Sequence, residues 1–399
     1  MGTGEFFTAP VERIAAGGDG VLRYRGRSLF MSFTAPGDLV VGRITGEKSG
    51  RAELVELAEA SPHRTAPVCP LYGNCGGCSL QHLSYGTQIA EKGRILRDAL
   101  IRIGGHAAPP EIETVPSPPY EYRNRMRFHR VEPETISPFP RGKGKGRITV
   151  PSGLMGRKSG TVVPLPDCPV ADPLIRAALR EGRLRPPPDK DRFTVYGRGK
   201  TLLIEGERRR GRVSLLGREL VLDGGVFFQS NGITLEALIR DLVTLAGEGD
   251  TRRPMADLYA GVGTFSAFLG DYFPGIDLLE ENRDALVLAR ENVPRGRYFA
   301  MTDDRWVKTM SPGLSPYGFA VADPPRRGLS RSMARWLSRA GPPVLAYVSC
   351  DPATLARDSR ELTAGGYGLA TLRFYDFYPQ TAHIESLAVF KKNGETRGA

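Results

Sequence analysis

The chain has 399 residues, 40% hydrophobic and 25% charged, which at about 150 residues per domain is enough for two or three domains with cores of their own. That excludes a peptide, a repeat filament and a minimal disulfide scaffold, and no apolar run approaches the ~20 residues that a membrane-spanning helix needs. Lys plus Arg number 55 against 44 Asp plus Glu, a net charge of +11 that suits a polyanionic partner. The amino terminus has no cationic flank leading into an apolar stretch, so a cytoplasmic, reducing location is expected. Five cysteines at uneven spacing then point to metal ligation or catalysis rather than disulfides.

Residues 1–62 alternate short β-type runs with glycine turns (Gly17-Gly18-Asp19-Gly20, Ala35-Pro36-Gly37-Asp38), the spacing of a small barrel. Asp19-Gly20-Val21 and the turn at Pro36 look like the TRAM module, an OB-type RNA-binding barrel; an unspecialised β-barrel cap is the plainer reading. Residues 63–225 read as a smaller α+β region. It opens with Cys69-x5-Cys75-Gly76-Gly77-Cys78, continues into a helix expected from Ser84 to Ile103, and holds a fourth thiol, Cys168. Three close thiols and one remote partner resemble ferredoxin-style iron-sulfur ligation; a four-cysteine zinc site lacks its second knuckle, and no metal at all is the third reading.

The run Arg123-Asn124-Arg125-Met126-Arg127-Phe128-His129-Arg130, if a strand, puts Arg123, Arg125, Arg127 and His129 on one face and Met126 and Phe128 on the other. Two further clusters, Arg141–Arg147 and Arg208–Arg212, look like loops. Any one charge run is usually solvated surface, whereas three in one region suggest a phosphate track.

From about Phe227 to the end (226–399) the rhythm becomes strand, glycine turn, helix. Short apolar strands are expected at Met255–Ala260, Gly275–Leu279, Gly318–Ala322 and Val344–Ser349, a doubly wound parallel α/β sheet. A tail hairpin, Leu369–Phe374 and His383–Phe390, is expected at its edge. Asp257-Leu258-Tyr259-Ala260-Gly261-Val262-Gly263 ends a strand in a Gly-x-Gly turn, with Ser266 where a dinucleotide fingerprint needs glycine. Glu280 ends the next strand, where a carboxylate can take ribose hydroxyls. That pair suits S-adenosylmethionine, although a Gly-x-Gly turn is often merely structural. Asp323-Pro324-Pro325-Arg326 follows a strand, and two prolines can simply end one. Cys350 stands at a strand's carboxyl end before a helix that Asp351 can cap, where helix amides would favour thiolate; a buried, inert thiol is the alternative. Glu385, two residues after His383, is a candidate general base or a surface ion-pair partner.

Taken together, these stretches resemble the RNA uracil-5 methyltransferases along essentially the whole chain. The resemblance is to the branch with a TRAM barrel and a four-iron, four-sulfur cluster that acts on 23S ribosomal RNA. It rests on Cys69-x5-Cys-Gly-Gly-Cys-x-Leu-Gln-His, Tyr122-Arg-Asn, Phe228-Gln-Ser-Asn231, Asp323-Pro-Pro-Arg-x-Gly, Ser349-Cys-Asp-Pro-x-Thr-x-x-Arg-Asp358 and His383-x-Glu385. It implies an α/β fold: a Rossmann-like class I methyltransferase domain, an N-terminal OB-type (TRAM) β-barrel and a small α+β iron-sulfur domain. It further implies Cys350 as nucleophile and Glu385 as base. Gln229, Tyr259, Glu280 and Asp323 would contact S-adenosylmethionine, and Cys69, Cys75, Cys78 and Cys168 would ligate a [4Fe-4S] cluster. The expected partner is RNA presenting a single-stranded or flipped uridine, with no membrane and a monomeric enzyme. Ala260 and Thr264 depart from the family's usual residues. A tRNA T-loop methyltransferase and a non-catalytic iron-sulfur RNA-binding protein are the alternatives.

Overall fold

The structure is a computed structural model that describes residues 2–46, 48–131, 151–157, 160–207, 210–310 and 316–392. The Arg141–Arg147 cluster lies outside these residues, as do Arg208 and Arg209.

The first five strands, Phe6–Ile14, Gly20–Tyr24, Arg27–Met31, Leu39–Gly46 and Arg51–Glu59, close into a barrel. The alternation of buried and exposed residues along 6–12 shows why: one face of the sheet supplies a core of Phe7, Val11, Leu22, Leu29, Met31, Val40 and Ile44. Gly20 is required where the barrel is tightest, since a Cβ there would lie 2.1 Å from Thr34 Oγ1.

An antiparallel five-stranded sheet follows, ordered Thr201–Ile204, Arg192–Arg198, Arg125–Arg130, Ser152–Met155, Val162–Pro164. Met126 and Phe128 are buried and Arg127 is exposed, the division that period-two geometry dictates. Arg210 and Arg212, expected in a loop, sit instead on the strand Arg210–Leu215, one arm of a hairpin with Arg218–Asp223.

The largest sheet has eight strands in the order Gly296–Ala300, Ile276–Glu280, Met255–Leu258, Phe319–Ala322, Val344–Ser349, Glu385–Lys392, Tyr367–Tyr375, Ile112–Val115. The first five are mutually parallel and Glu385–Lys392 alone runs against its neighbours. The tail hairpin is therefore present but does not form the edge: Ile112–Val115, far back in the chain, adds in parallel to Tyr367–Tyr375 and covers it. Chain order reverses between Met255–Leu258 and Phe319–Ala322, which opens a crevice at their carboxyl ends.

Ser84 caps the helix Tyr85–Arg102 by accepting from Thr87 N. Its buried face carries Leu96 and Leu100 as its apolar spacing predicts, and also Gln88 and Lys92. Lys92 is 1% exposed and donates to Asp376 Oδ1 at 2.7 Å and to the Tyr378 carbonyl at 3.0 Å. Neither charge has water to fall back on, so losing one partner strands the other. Lys92→Met is expected to lower unfolding free energy by about 3–5 kcal/mol, and Lys92→Met with Asp376→Leu to recover most of it. Denaturant titration of both variants checks this; a loss below about 1 kcal/mol for the single variant contradicts it.

Candidate active site

A cleft of about 530 Å³ opens at the crevice, and every residue expected to carry chemistry or to hold cofactor lines it: Gln229, Tyr259, Glu280, Asp323, Cys350 and Glu385. Strand ends place them. Tyr259 follows Met255–Leu258 with φ at +67°, a left-handed backbone that only surrounding contacts sustain in a non-glycine residue. Its hydroxyl donates to Asp303 Oδ2 at 2.5 Å, which leaves the ring to face the cleft. Gly263 must be glycine, since its φ is +78° and a Cβ would lie 2.9 Å from Val293 Cγ2. Glu280 accepts from the amides of Gly261 at 2.9 Å and Asn282 at 2.7 Å, which holds its carboxylate beside the glycine turn. Below the turn, Asp257 accepts from Ser266 N and Oγ.

The antiparallel strand supplies the other wall. Ser349 pairs with Ser386, so the next residue of one strand, Cys350, and the preceding residue of the other, Glu385, emerge at the same edge. Asp323, at the end of the next strand over, accepts from Gln229 Nε2 at 3.1 Å. Arg326 approaches His383 Nδ1 at 3.1 Å.

These neighbours set the electrostatics. Burial, then the charge of Asp257, raises Asp323; burial, then Asp323, pushes Glu385 well above the carboxylate range, with Arg326 opposing. Burial also pushes His383 down to about 4. The Cys350 thiol is pushed up to about 12 by burial and by Glu385 and Asp323. This corrects the expectation that helix amides would favour the thiolate. Asp351 takes those amides, accepting from Ala353 N and Thr354 N at 2.9 Å each, and three acidic neighbours outweigh what is left. In the free cleft Cys350 is a thiol.

The supports are Asp303, which anchors Tyr259, and Asp257, which anchors the helix after Gly263; Arg326, Tyr378 and Arg123 complete the lining. Asp257, Arg326 and Arg123 stand inside motifs legible in the sequence, whereas Asp303 and Tyr378 carry no local signal. His383 precedes the strand rather than lying on it.

Cys69, Cys75, Cys78 and Cys168 line one nearly closed cavity, with Met126, Leu154, Leu165 and again Arg123. Burial raises all four thiols, Cys78 to about 11 and Cys168 to about 12. A Cβ at Gly76 would lie 2.8 Å from the Met155 carbonyl, so glycine permits the loop's close approach, and Gly77 N donates to Cys75 Sγ. Among the described residues no group of three or more His, Cys, Asp or Glu is arranged to hold a metal ion. No helix among them is long and apolar enough to cross a membrane.

Residues 300–393 match the family described as tRNA (Uracil-5-)-methyltransferase. An uncharacterized RNA methyltransferase of Treponema denticola is 30% identical over 402 residues, covering 92% of this chain and 94% of that protein. The 23S rRNA (uracil(1939)-C(5))-methyltransferase RlmD of Shewanella amazonensis is 28% identical, covering 96% and 94%. The Pyrococcus abyssi tRNA (uracil-54, C5)-methyltransferase, solved with S-adenosyl-L-homocysteine, superposes with a TM-score of 0.72 at 23% identity, over 96% of this chain and all of that one.

Asp323 carries a pKa raised in the folded state, so it contributes stability below the unfolded carboxylate pKa of about 4 that is lost as pH rises through the folded value. His82 and His383, whose pKa values burial lowers, titrate in the opposite sense, so the test is a difference. The thermal midpoint of Asp323→Asn minus that of wild type is expected to increase from about pH 5 to about pH 8; a flat difference contradicts the assignment.

Proposed function

The chain belongs to the S-adenosylmethionine-dependent RNA (uracil-5-)-methyltransferases, and on that premise we propose that its substrate is a uridine of 23S ribosomal RNA, with Cys350 as nucleophile and Glu385 as base. The observation that carries the residue roles is the convergence of Cys350, Glu385 and Asp323 on one cleft from neighbouring strand ends. The RNA class is favoured by relatives of that name matched over nearly their whole length.

Uracil C5 is too poor a nucleophile to take a methyl group unaided. Cys350 loses its thiol proton to solvent once the cationic cofactor and the substrate are bound, its Sγ adds to C6, and the electron pair of the C5=C6 bond makes C5 an enolate carbon. S-adenosylmethionine would be held by Gln229, Tyr259, Glu280 and Asp323; bound there it would bring a sulfonium charge and supply the methyl group to C5, with S-adenosylhomocysteine as the leaving group. Glu385, made basic by burial beside Asp323, takes the C5 proton from the methylated adduct; the C6–S bond breaks and the C5=C6 double bond returns. The acidic cleft has a second consequence: Cys350 stays a thiol until a cation and the substrate arrive, which protects the free enzyme from alkylation.

The target base must leave its stack to reach the cleft. Phe227 is 56% exposed and lies under the Arg125 guanidinium, 5.1 Å from ring centroid to charge. From there Arg127, His129 and Arg192 line a groove on the central sheet together with Asp191 and a Lys190–Glu205 ion pair, and its arginines offer contacts for the flanking phosphates. Four thiols lining one cavity supply the ligand set that a [4Fe-4S] cluster takes.

Cys350→Ala is expected to abolish methyl transfer and covalent capture of 5-fluorouridine RNA while cofactor binding persists; full activity in the variant contradicts the assignment. Parallel assays on 23S rRNA and tRNA transcripts decide the substrate, with methylation of tRNA alone the contrary result. Anaerobically purified protein is expected to be brown with about four irons per chain; a colourless, iron-free protein refutes the cluster.

A further inference from the structure

Residues 376–384 run from the end of Tyr367–Tyr375 to Glu385 and form the wall that bears Tyr378 and His383. Very little of this strap is held by the strands it connects. Tyr122 Oη donates to the Pro379 carbonyl at 2.8 Å, and Lys92 reaches the Tyr378 carbonyl. More of its hydrogen bonds meet at Gln380 than at any other residue of the strap.

Gln380 is 3% exposed and has φ at +67°, a conformation costing about 1 kcal/mol or more outside glycine and kept only where contacts over-determine it. Its carbonyl accepts from Ser79 N at 2.9 Å and Leu80 N at 3.0 Å. Its amide donates to Gln88 Oε1 at 2.9 Å, and its Oε1 accepts from Gln88 Nε2 at 3.0 Å. Gln88 Nε2 also donates to the carbonyls of Leu80 and Leu83. Beside it, Ala382 N donates to Ser79 Oγ at 3.0 Å. Ser79 directly follows Cys78. A shift of the thiol loop is thereby transmitted through two backbone amides and one hydroxyl to the strap, then to His383, whose ring packs edge-on against Tyr378 at 5.5 Å, and to Glu385.

We propose that Gln380 is a positioning residue through which the cysteine centre sets the placement of Tyr378, His383 and the base Glu385. The role rests on the functions proposed above for Glu385 and the four thiols. It makes the centre a support of the catalytic wall: emptying it relaxes the strap without dismantling the Glu280 side of the cleft, which hangs from other strands.

The test compares wild type, Gln380→Ala and Gln88→Leu as iron-loaded full-length protein. Gln380→Ala is expected to lose about tenfold in kcat while KM for RNA and for cofactor stays within about twofold, with iron content unchanged. Hydrogen exchange is expected to quicken in 376–384 and to stay unchanged in the barrel. Wild type treated with chelator should show the same quickening in the same segment. Unchanged exchange there after chelation, or a variant whose kcat holds while KM for RNA alone rises, overturns the proposal. If Gln380→Ala does not fold, Gln88→Leu and the chelated wild type decide between the same two outcomes. Iron-free wild type or an active Cys350→Ala instead defeats the underlying functional assignment, so the two failures are told apart.

Discussion

One strand running against its neighbours organises the catalytic centre. In a purely parallel sheet only carboxyl-terminal residues reach the edge where ligands bind. Because Glu385–Lys392 is antiparallel to Val344–Ser349, its first residue arrives at that edge instead, and Glu385 comes to face the loop that carries Cys350. A residue 35 positions later in the chain is thus delivered to the thiol by hydrogen-bond register, with the rigidity of a ladder rather than of a loop.

That placement has an electrostatic cost which the reaction uses. Asp257, Asp323 and Glu385 are buried in and beneath the cleft, and burial pushes each toward holding its proton. Cys350 follows them. In the proposed mechanism this acidity confines reactivity to the moment when cationic cofactor and pyrimidine are both present. Arg123, Arg326 and Arg327 also line the cleft but are outnumbered there by Glu280, Glu281, Asp303, Asp323 and Glu385, so the +11 balance of the whole chain is carried elsewhere.

Much of this is legible in the residues. Periodicity locates the barrel, the helix after Ser84 and four of the parallel strands, because each places apolar side chains at a spacing only one geometry buries. Gly296–Ala300 gives no such signal, being short and edged with arginine and tyrosine. Nor does Ile112–Val115, since a four-residue edge strand with adjacent Glu113 and Thr114 both open to solvent looks like a loop until its partner is known. Cys350 and Glu385 are identifiable by motif, but their mutual effect is not: Asp351 is recognisable as a helix cap, yet only the structure shows that capping consumes the amides expected to lower the thiol's pKa. Gln88, Lys92 and Gln380 are invisible for a related reason. They are polar residues buried by long-range partners, and nothing local distinguishes them from surface residues.

In the proposed mechanism Cys350 and Glu385 act in sequence on one carbon framework, and a single measurement addresses that order. RNA carrying tritium at uridine C5 should release it from wild type in step with methyl transfer. Glu385→Gln should instead retain the tritium and accumulate a covalent, methylated protein–RNA adduct. Tritium release by the variant at the wild-type rate, with no adduct, would contradict that order.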